Sequence, residues 1–225
     1  QRGHGSSTPR GRRRRPRRAP SVRALGDDLA AVIEAVAPTG PLVLGGHSMG
    51  GMTVMAYAGT HPSEVRVRVR GVALVSTSAG DLHGLGRRGE APLMRTIARV
   101  PGVRAGRAIT HEGQRRLLFG VHATSDDVAA TREMVAATRL STIGRYYGAL
   151  SRHDEAEALA ALADVPTHVL VGERDRLTPV SHARRLAELV PHARLDVLPD
   201  VGHMLGYEAP DVVAAHLADL VQGAS

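Results

Sequence analysis

The chain has 225 residues, of which 43% are hydrophobic and 2% aromatic, and it contains no cysteine. This length fits one domain with an insertion, and the lack of cysteine excludes disulfide bonds and a thiol nucleophile. Because no apolar run reaches about 18 residues, the sequence predicts no membrane span, and we expect a cytoplasmic protein.

The net charge of +7 comes from the beginning of the chain. All 29 basic residues are arginines, nine of them lie within residues 1–23, and the rest of the chain carries a net charge of −2. Residues 10–18 include one proline, Pro16, and no aromatic side chain on which a base could stack. We interpret residues 1–23 as an irregular basic segment and expect no nucleic-acid partner. A protein that binds polyanions through these arginines is the alternative.

The first half of the chain alternates between helical and strand-like patterns. Apolar residues at helical spacing predict a helix over residues 22–37. Residues 41–45 and 71–76 are apolar runs of strand length, and a helix predicted over 49–61 ends at Pro62. Residues 63–70 alternate valine with arginine or another polar residue, which predicts an exposed strand or extension leading into the strand at 71–76.

The pattern changes over residues 80–160, where glycine and arginine punctuate a helical region. We predict helices there at 91–100, 111–119, 125–138 and 142–152. Strands at 167–172 and 193–198 then alternate with helices at 180–190 and 209–221. This alternation predicts an α/β fold with a mostly parallel sheet flanked by helices. We assign residues 24–79 and 161–225 to the core and residues 80–160 to a helical cap inserted into it.

Residues 46–51 read Gly-His-Ser-Met-Gly-Gly and lie between a predicted strand and a predicted helix. This is the context of a nucleophile elbow, in which flanking glycines permit a sharp turn that exposes the serine. The first N–H groups of the following helix point to the same place, where negative charge develops during acyl transfer. The pattern predicts Ser48 as a nucleophile, and a glycine-rich turn with a solvated serine is the alternative.

A serine nucleophile needs a base, and the base needs a carboxylate that orients it. Asp175 follows the strand predicted at 167–172, and His203 follows the strand predicted at 193–198. Both therefore lie just past the carboxyl ends of parallel strands, where α/β sheets carry their reactive groups. Asp81, after the strand at 71–76, is an alternative acid. The 12 histidines form no spacing typical of a metal site, so we expect no metal.

Three segments carry a resemblance to a known family: GHSMGG at the elbow, VGERDRLTP after one strand and PDVGHMLGYEAP after the next. Together they resemble the α/β-hydrolase family of serine enzymes, from about residue 24 to the end of the chain. The resemblance implies Ser48 as nucleophile, His203 as general base and then acid, and Asp175 as its orienting carboxylate. It also implies the backbone N–H of Met49 as an oxyanion donor and no cofactor.

The chain begins with Gln1, and residues 2–7 resemble a turn that this family carries after its fourth strand. On this interpretation, the first strands and the loop with the second oxyanion donor precede the sequence. The alternative is that His4 and Gly5 are themselves the oxyanion loop. We expect the strand at 41–45 to present an unpaired apolar edge, and the chain alone to be poorly soluble or nearly inactive.

The substrate depends on the predicted cap, where Phe119, Tyr146 and Tyr147 are candidate substrate-binding residues together with His47 beside the nucleophile. The three aromatic side chains either line an apolar pocket or fasten the cap's own core. The sequence favours a serine hydrolase that cleaves a small, mostly apolar ester, with lipase-like monoacylglycerol cleavage as one form. A carbon–carbon bond hydrolase, a cofactor-free perhydrolase and a non-catalytic ligand-binding relative are the alternatives.

Overall fold

A computed structural model describes residues 1–5, 7, 20–82, 89–100, 103 and 110–224. Most of the basic segment predicted for residues 1–23 lies outside these ranges. Within them, no helix is long and apolar enough to cross a membrane.

The core of the described chain is a parallel sheet of four strands, as the sequence predicted. The strands follow one another in both sequence and space, in the order β1 Leu42–His47, β2 Val69–Val75, β3 Thr167–Gly172 and β4 Arg194–Leu198. All three neighbouring pairs are parallel, so helices must connect each strand to the next. All six residues of β3 are buried, while β1 lies at one edge of the described sheet.

Helices cover both faces of the sheet. The core helices are α1 Val22–Val36, α2 Met49–Thr60, α8 Val180–Leu189, α9 Leu205–Glu208 and α10 Pro210–Gln222. The largest apolar cluster joins α1, α2 and α8 to one face of the sheet. Helix α2 is buried at every position from residue 51 to 58, because α1 covers its other side. A second cluster, around Leu170 and Leu205, lies on the α10 side of the sheet.

The strand or extension predicted for residues 63–70 is wrong over most of its length. These residues form helix α3, Pro62–Arg68, and β2 begins only at Val69. Pro62 suits the first turn of a helix. Arg66 and Arg68, in the last turn, interact favourably with the negative end of the helix dipole. Val65 and Val69 are buried whereas Val67 is 68% exposed, so burial recurs every four residues and not every two.

The described residues between β2 and β3 are mainly helical, as predicted. They form α4 Glu90–Ile97, α5 His111–Leu118, α6 Ser125–Ala137, α7 Leu140–Leu150 and a short 3-10 helix, Glu157–Leu162. Helices α4 and α7 touch through their backbones: a Cβ atom on Gly144 would lie 2.5 Å from the carbonyl oxygen of Met94. Thr124 and Asp127 form a reciprocal capping box that starts α6.

Candidate active site

Ser48 lies in the turn between β1 and α2 and has an unusual backbone conformation, with φ 53° and ψ −121°. Such dihedrals are rare outside glycine and mark strain that the surrounding structure must hold. The Ser48 N–H donates to the Val75 carbonyl over 2.9 Å, and the Thr77 hydroxyl donates to the Ser48 carbonyl over 2.7 Å. A side chain at Gly46 would overlap the backbone of Gly50, so the turn needs glycine there.

Asp175 and His203 lie side by side at the carboxyl ends of β3 and β4. His203 Nδ1 is 2.8 Å from Asp175 Oδ2, and the two side chains are 3% and 0% exposed. Asp175 Oδ1 also accepts the backbone N–H groups of Leu177 and Thr178, each over 2.9 Å. These contacts fix the carboxylate, which in turn fixes the orientation of the imidazole ring.

The surroundings of Asp175 keep it ionised. Burial alone raises the pKa of its carboxyl, but the hydrogen bond and charge interaction with His203, together with the Thr178 N–H, outweigh that effect. The pKa of Asp175 therefore lies below its ordinary value. An ionised carboxylate accepts a hydrogen bond from Nδ1–H of His203, and this arrangement leaves Nε2 of the ring as the nitrogen that can take up a proton.

His47 contacts the backbone of His203. Its Nε2 donates to the His203 carbonyl oxygen over 2.8 Å, and the two rings are 4.8 Å apart between centroids. Desolvation of the imidazole and repulsion from His203 lower the pKa of His47 to about 4, so the ring is neutral near pH 7. His47 was a candidate substrate-binding residue, and the structure places it against the histidine that follows β4.

A cavity of about 380 Å³ opens beside Ser48. Tyr146 and Tyr147 from α7 line it, as do several residues that no sequence pattern singled out. The described lining residues are His4, Ser48, Met49, Met52, Leu82, Glu90, Ile143, Tyr146, Tyr147, Leu150, Ser151, Leu177 and Thr178. Met49, the first residue of α2, has no carbonyl one turn earlier to which its N–H could donate within the helix.

Phe119, the remaining candidate for substrate binding, is not among the described residues that line this cavity. It packs with Ala123, Val128 and Tyr207 in a separate cluster, and its ring centroid is 6.5 Å from that of Tyr207. His4 instead reaches the cavity, with its ring 5.3 Å from Tyr146. Desolvation lowers the pKa of His4. The sequence pattern around His4 indicated a turn, with an oxyanion loop as the alternative.

The alternative acid, Asp81, is exposed, whereas Asp175 contacts His203 directly. Asp200, another acidic residue close to His203 in sequence, has φ 63° and pairs with Arg174 over 2.6 Å. Among the described residues, no group of three or more histidine and acidic side chains could hold a metal ion.

The parallel sheet, the strained serine after β1 and the Asp175–His203 pair at adjacent strand ends define an α/β-hydrolase. The chain belongs to the family described as serine aminopeptidase S33, whose model matches residues 1–210.

Known proteins similar to the chain include two lipases. It is 26% identical over 212 residues to an sn-1-specific diacylglycerol lipase of Mus musculus, covering 88% of this chain and 66% of that protein. It is 28% identical over 179 residues to a monoacylglycerol lipase of Mycolicibacterium smegmatis, covering 74% of this chain and 56% of that protein. The chain thus spans less than two thirds of the length of these curated relatives.

Solved structures show the same fold. A thermophilic esterase from Thermogutta terrifontis superimposes with a TM-score of 0.75 at 25% identity, covering 100% of this chain and 78% of that one. An enol-lactonase from Burkholderia xenovorans LB400 gives a TM-score of 0.76 at 22% identity, with 98% and 78% covered.

Proposed function

We propose that the chain hydrolyses a small, mostly apolar carboxylic ester, with Ser48 as nucleophile, His203 as general base and acid, and Asp175 as the orienting carboxylate. The observation that carries this proposal is the buried Nδ1–Oδ2 contact of 2.8 Å between His203 and Asp175. This contact favours the tautomer with the proton on Nδ1, which leaves Nε2 free to accept the proton of a serine hydroxyl. The lipase and esterase relatives support ester hydrolysis as the reaction class.

The proposed reaction has two acyl-transfer steps. His203 Nε2 takes the hydroxyl proton of Ser48 while the serine oxygen attacks the ester carbonyl carbon. The carbonyl oxygen becomes an oxyanion and accepts the Met49 N–H at the positive end of α2. As the tetrahedral intermediate collapses, the ester C–O bond breaks, and His203 gives its proton to the leaving alkoxide. Water then repeats the sequence on the acyl-enzyme, which releases the acid and restores Ser48.

The cavity beside Ser48 favours an apolar substrate part. Met52, Leu82, Ile143, Leu150 and Leu177 supply most of its described apolar lining. Each methylene group that a substrate buries there contributes about 0.8 kcal/mol. We therefore propose that the acyl or alkyl chain of the ester occupies this cavity, while the carbonyl group lies at its Ser48 end.

A fluorophosphonate probe tests the nucleophile. In contrast to the low activity expected from the sequence alone, we expect the purified chain to be labelled at Ser48 and to turn over p-nitrophenyl butyrate, and Ser48→Ala to lose both properties. Ser78 offers a matched control, because its hydroxyl lies 2.8 Å from a histidine nitrogen, Nδ1 of His182, but the residue is 1% exposed. Ser78→Ala should keep the label. A probe that reacts equally with Ser48→Ala would refute the proposal.

A further inference from the structure

The loop that carries His203, residues 199–204, runs beside residues 118–121 of the region between β2 and β3. We call these the histidine loop and the 118–121 segment. Their backbones are joined at both ends. The Val121 N–H donates to the Asp200 carbonyl over 2.9 Å, and the His203 N–H donates to the Leu118 carbonyl over 2.7 Å. The backbone position of His203 therefore depends on a segment more than 80 residues earlier in the chain.

Between these two hydrogen bonds lie two backbone donors that share a side-chain acceptor. The N–H groups of Gly120 and Gly202 both point to the carboxylate of Glu208, which accepts them over 2.7 Å at Oε1 and 2.9 Å at Oε2. One side chain thus satisfies one donor from each segment. Without it, two partly buried N–H groups lose their acceptor, and a buried donor left without a partner is unfavourable.

The backbones of the two segments are in direct contact. The side chain that links them therefore comes from a third segment. A Cβ atom on Gly120 would overlap the Asp200 carbonyl oxygen, and one on Gly202 would overlap the backbone of Phe119. No side chain fits between the segments at these two positions. Glu208 reaches their N–H groups from the short helix α9, which starts two residues after His203.

We propose that Glu208 is a positioning residue: its carboxylate joins the 118–121 segment to the histidine loop and so holds His203 in register with Asp175. This inference rests on the proposed function, in which His203 is the base. The Glu208 carboxylate contacts Gly202, the residue directly before His203, so losing the link lets the imidazole shift. A displacement of about 1 Å at a catalytic group costs about 100-fold in rate.

The negative charge of Glu208 does not itself stabilise the folded chain. Burial raises the pKa of Glu208, and the charge of Asp127 adds to this effect. The pKa is lowered by the N–H groups of Gly202 and Gly120 and by the charge of His122. Burial outweighs them, so the pKa of Glu208 lies above its ordinary value. A raised pKa means that the ionised form costs folding free energy. A glutamine in place of Glu208 carries no charge, and this gain offsets part of the cost of leaving one of the two N–H groups without an acceptor.

The test compares Glu208→Gln and Glu208→Ala with Glu188→Gln, which removes an exposed carboxylate paired with Arg185 on α8. We expect kcat on p-nitrophenyl butyrate to fall about 100-fold in both Glu208 variants, with little change in KM or in the Tm of Glu208→Gln. The Glu188 variant should match the wild type. In proton NMR, the hydrogen-bonded Nδ1–H of His203 should shift or broaden in the Glu208 variants alone.

The proposal fails if both Glu208 variants keep the wild-type kcat and Nδ1–H signal. It also fails if kcat falls only in step with a loss of folded protein, since that result assigns Glu208 a purely structural role. If the wild type proves not to hydrolyse esters, the proposed function fails, but the NMR comparison still decides whether Glu208 positions His203.

Discussion

His203 Nδ1 lies 2.8 Å from Asp175 Oδ2, although the two residues are 28 positions apart in the chain. The sheet topology explains this contact. Strands β3 and β4 are parallel neighbours. Their carboxyl ends therefore lie at the same end of the sheet, and the loops that follow them meet there. The turn after β1, in which Ser48 lies, is at this same end of the sheet. The strand order thus brings three distant segments to one end of the sheet.

Replacing Asp175 with Asn should abolish most turnover and leave the fold intact. The Asn carbonyl oxygen can still accept the Leu177 and Thr178 N–H groups that Asp175 accepts. Its amide group, however, donates to Nδ1 of His203 and forces the proton onto Nε2, so the ring can no longer act as base. We expect kcat to fall about 10⁴-fold with an unchanged circular dichroism spectrum.

The matched control for this substitution is Asp81→Asn. Asp81 was the alternative acid, it is exposed, and its φ of 56° is one that Asn adopts readily. Turnover of this variant should equal that of the wild type. A large loss in Asp81→Asn together with a small loss in Asp175→Asn would reverse the assignment of the acid.

The sequence was sufficient to predict the four strands, most helices and the proximity of Asp175 to His203. Apolar residues dominate β1 and β2, and β3 is buried at all six positions, so the pattern favoured strands there. The elbow was equally predictable, because a glycine at position 46 and a serine between a strand and a helix leave few other conformations.

Features that depend on tertiary contacts were not predictable. The alternation at residues 63–70 suggested a strand. Val65 is instead buried by residues from elsewhere in the chain, and an alternating pattern cannot show that these residues are there. Phe119 looked suitable for a substrate pocket by composition, yet it packs against Tyr207. The link from Glu208 to Gly120 spans 88 positions, and no local pattern signals such a contact.

Gly46→Ala should destabilise the chain, whereas Gly50→Ala should not. A Cβ atom at position 46 overlaps the backbone of Gly50 and Gly51, but one at position 50 has no neighbour within 4 Å. Overpacking against backbone costs about 1–3 kcal/mol or more, and Gly→Ala at a compatible position adds about 0.4–1 kcal/mol of stability. Urea unfolding of both variants measures this difference. Equal losses in the two would contradict the elbow geometry.

Enlarging Ile143 should shorten the acyl chain that the enzyme prefers. Ile143 lines the cavity beside Ser48, so Ile143→Trp removes volume from it. In the wild type, each added methylene should raise kcat/KM by up to about fourfold, corresponding to about 0.8 kcal/mol, until the cavity is full. The maximum over a series of p-nitrophenyl esters should move to shorter chains in the variant.

Phe119→Leu is the control for that series, because Phe119 lies in a different apolar cluster. It should lower stability and leave the chain-length profile unchanged. If Phe119→Leu moves the maximum and Ile143→Trp does not, the substrate lies elsewhere.

The free energy of unfolding should fall as the pH drops below about 6.5, and a buried histidine pair at β3 and α10 should contribute to this loss. His168 and His216 are 9% and 5% exposed, and their Nδ1 atoms are 3.0 Å apart. Asp196 lies 2.9 Å from His216, and Asp219 and Arg194 are the other charged groups near the pair. Burial and the charge of His216 lower the pKa of His168.

The sign follows from proton binding. The unfolded chain protonates His168 near its ordinary value of 6.5, while the folded chain keeps it neutral to lower pH. Stability is therefore complete above that value and is lost as the pH falls, at no more than about 1.4 kcal/mol per pH unit for one histidine. Urea unfolding at pH 7 and pH 5.5 should show a smaller decrease in His168→Gln than in the wild type. An identical decrease in both proteins would show that His168 does not cause the acid sensitivity.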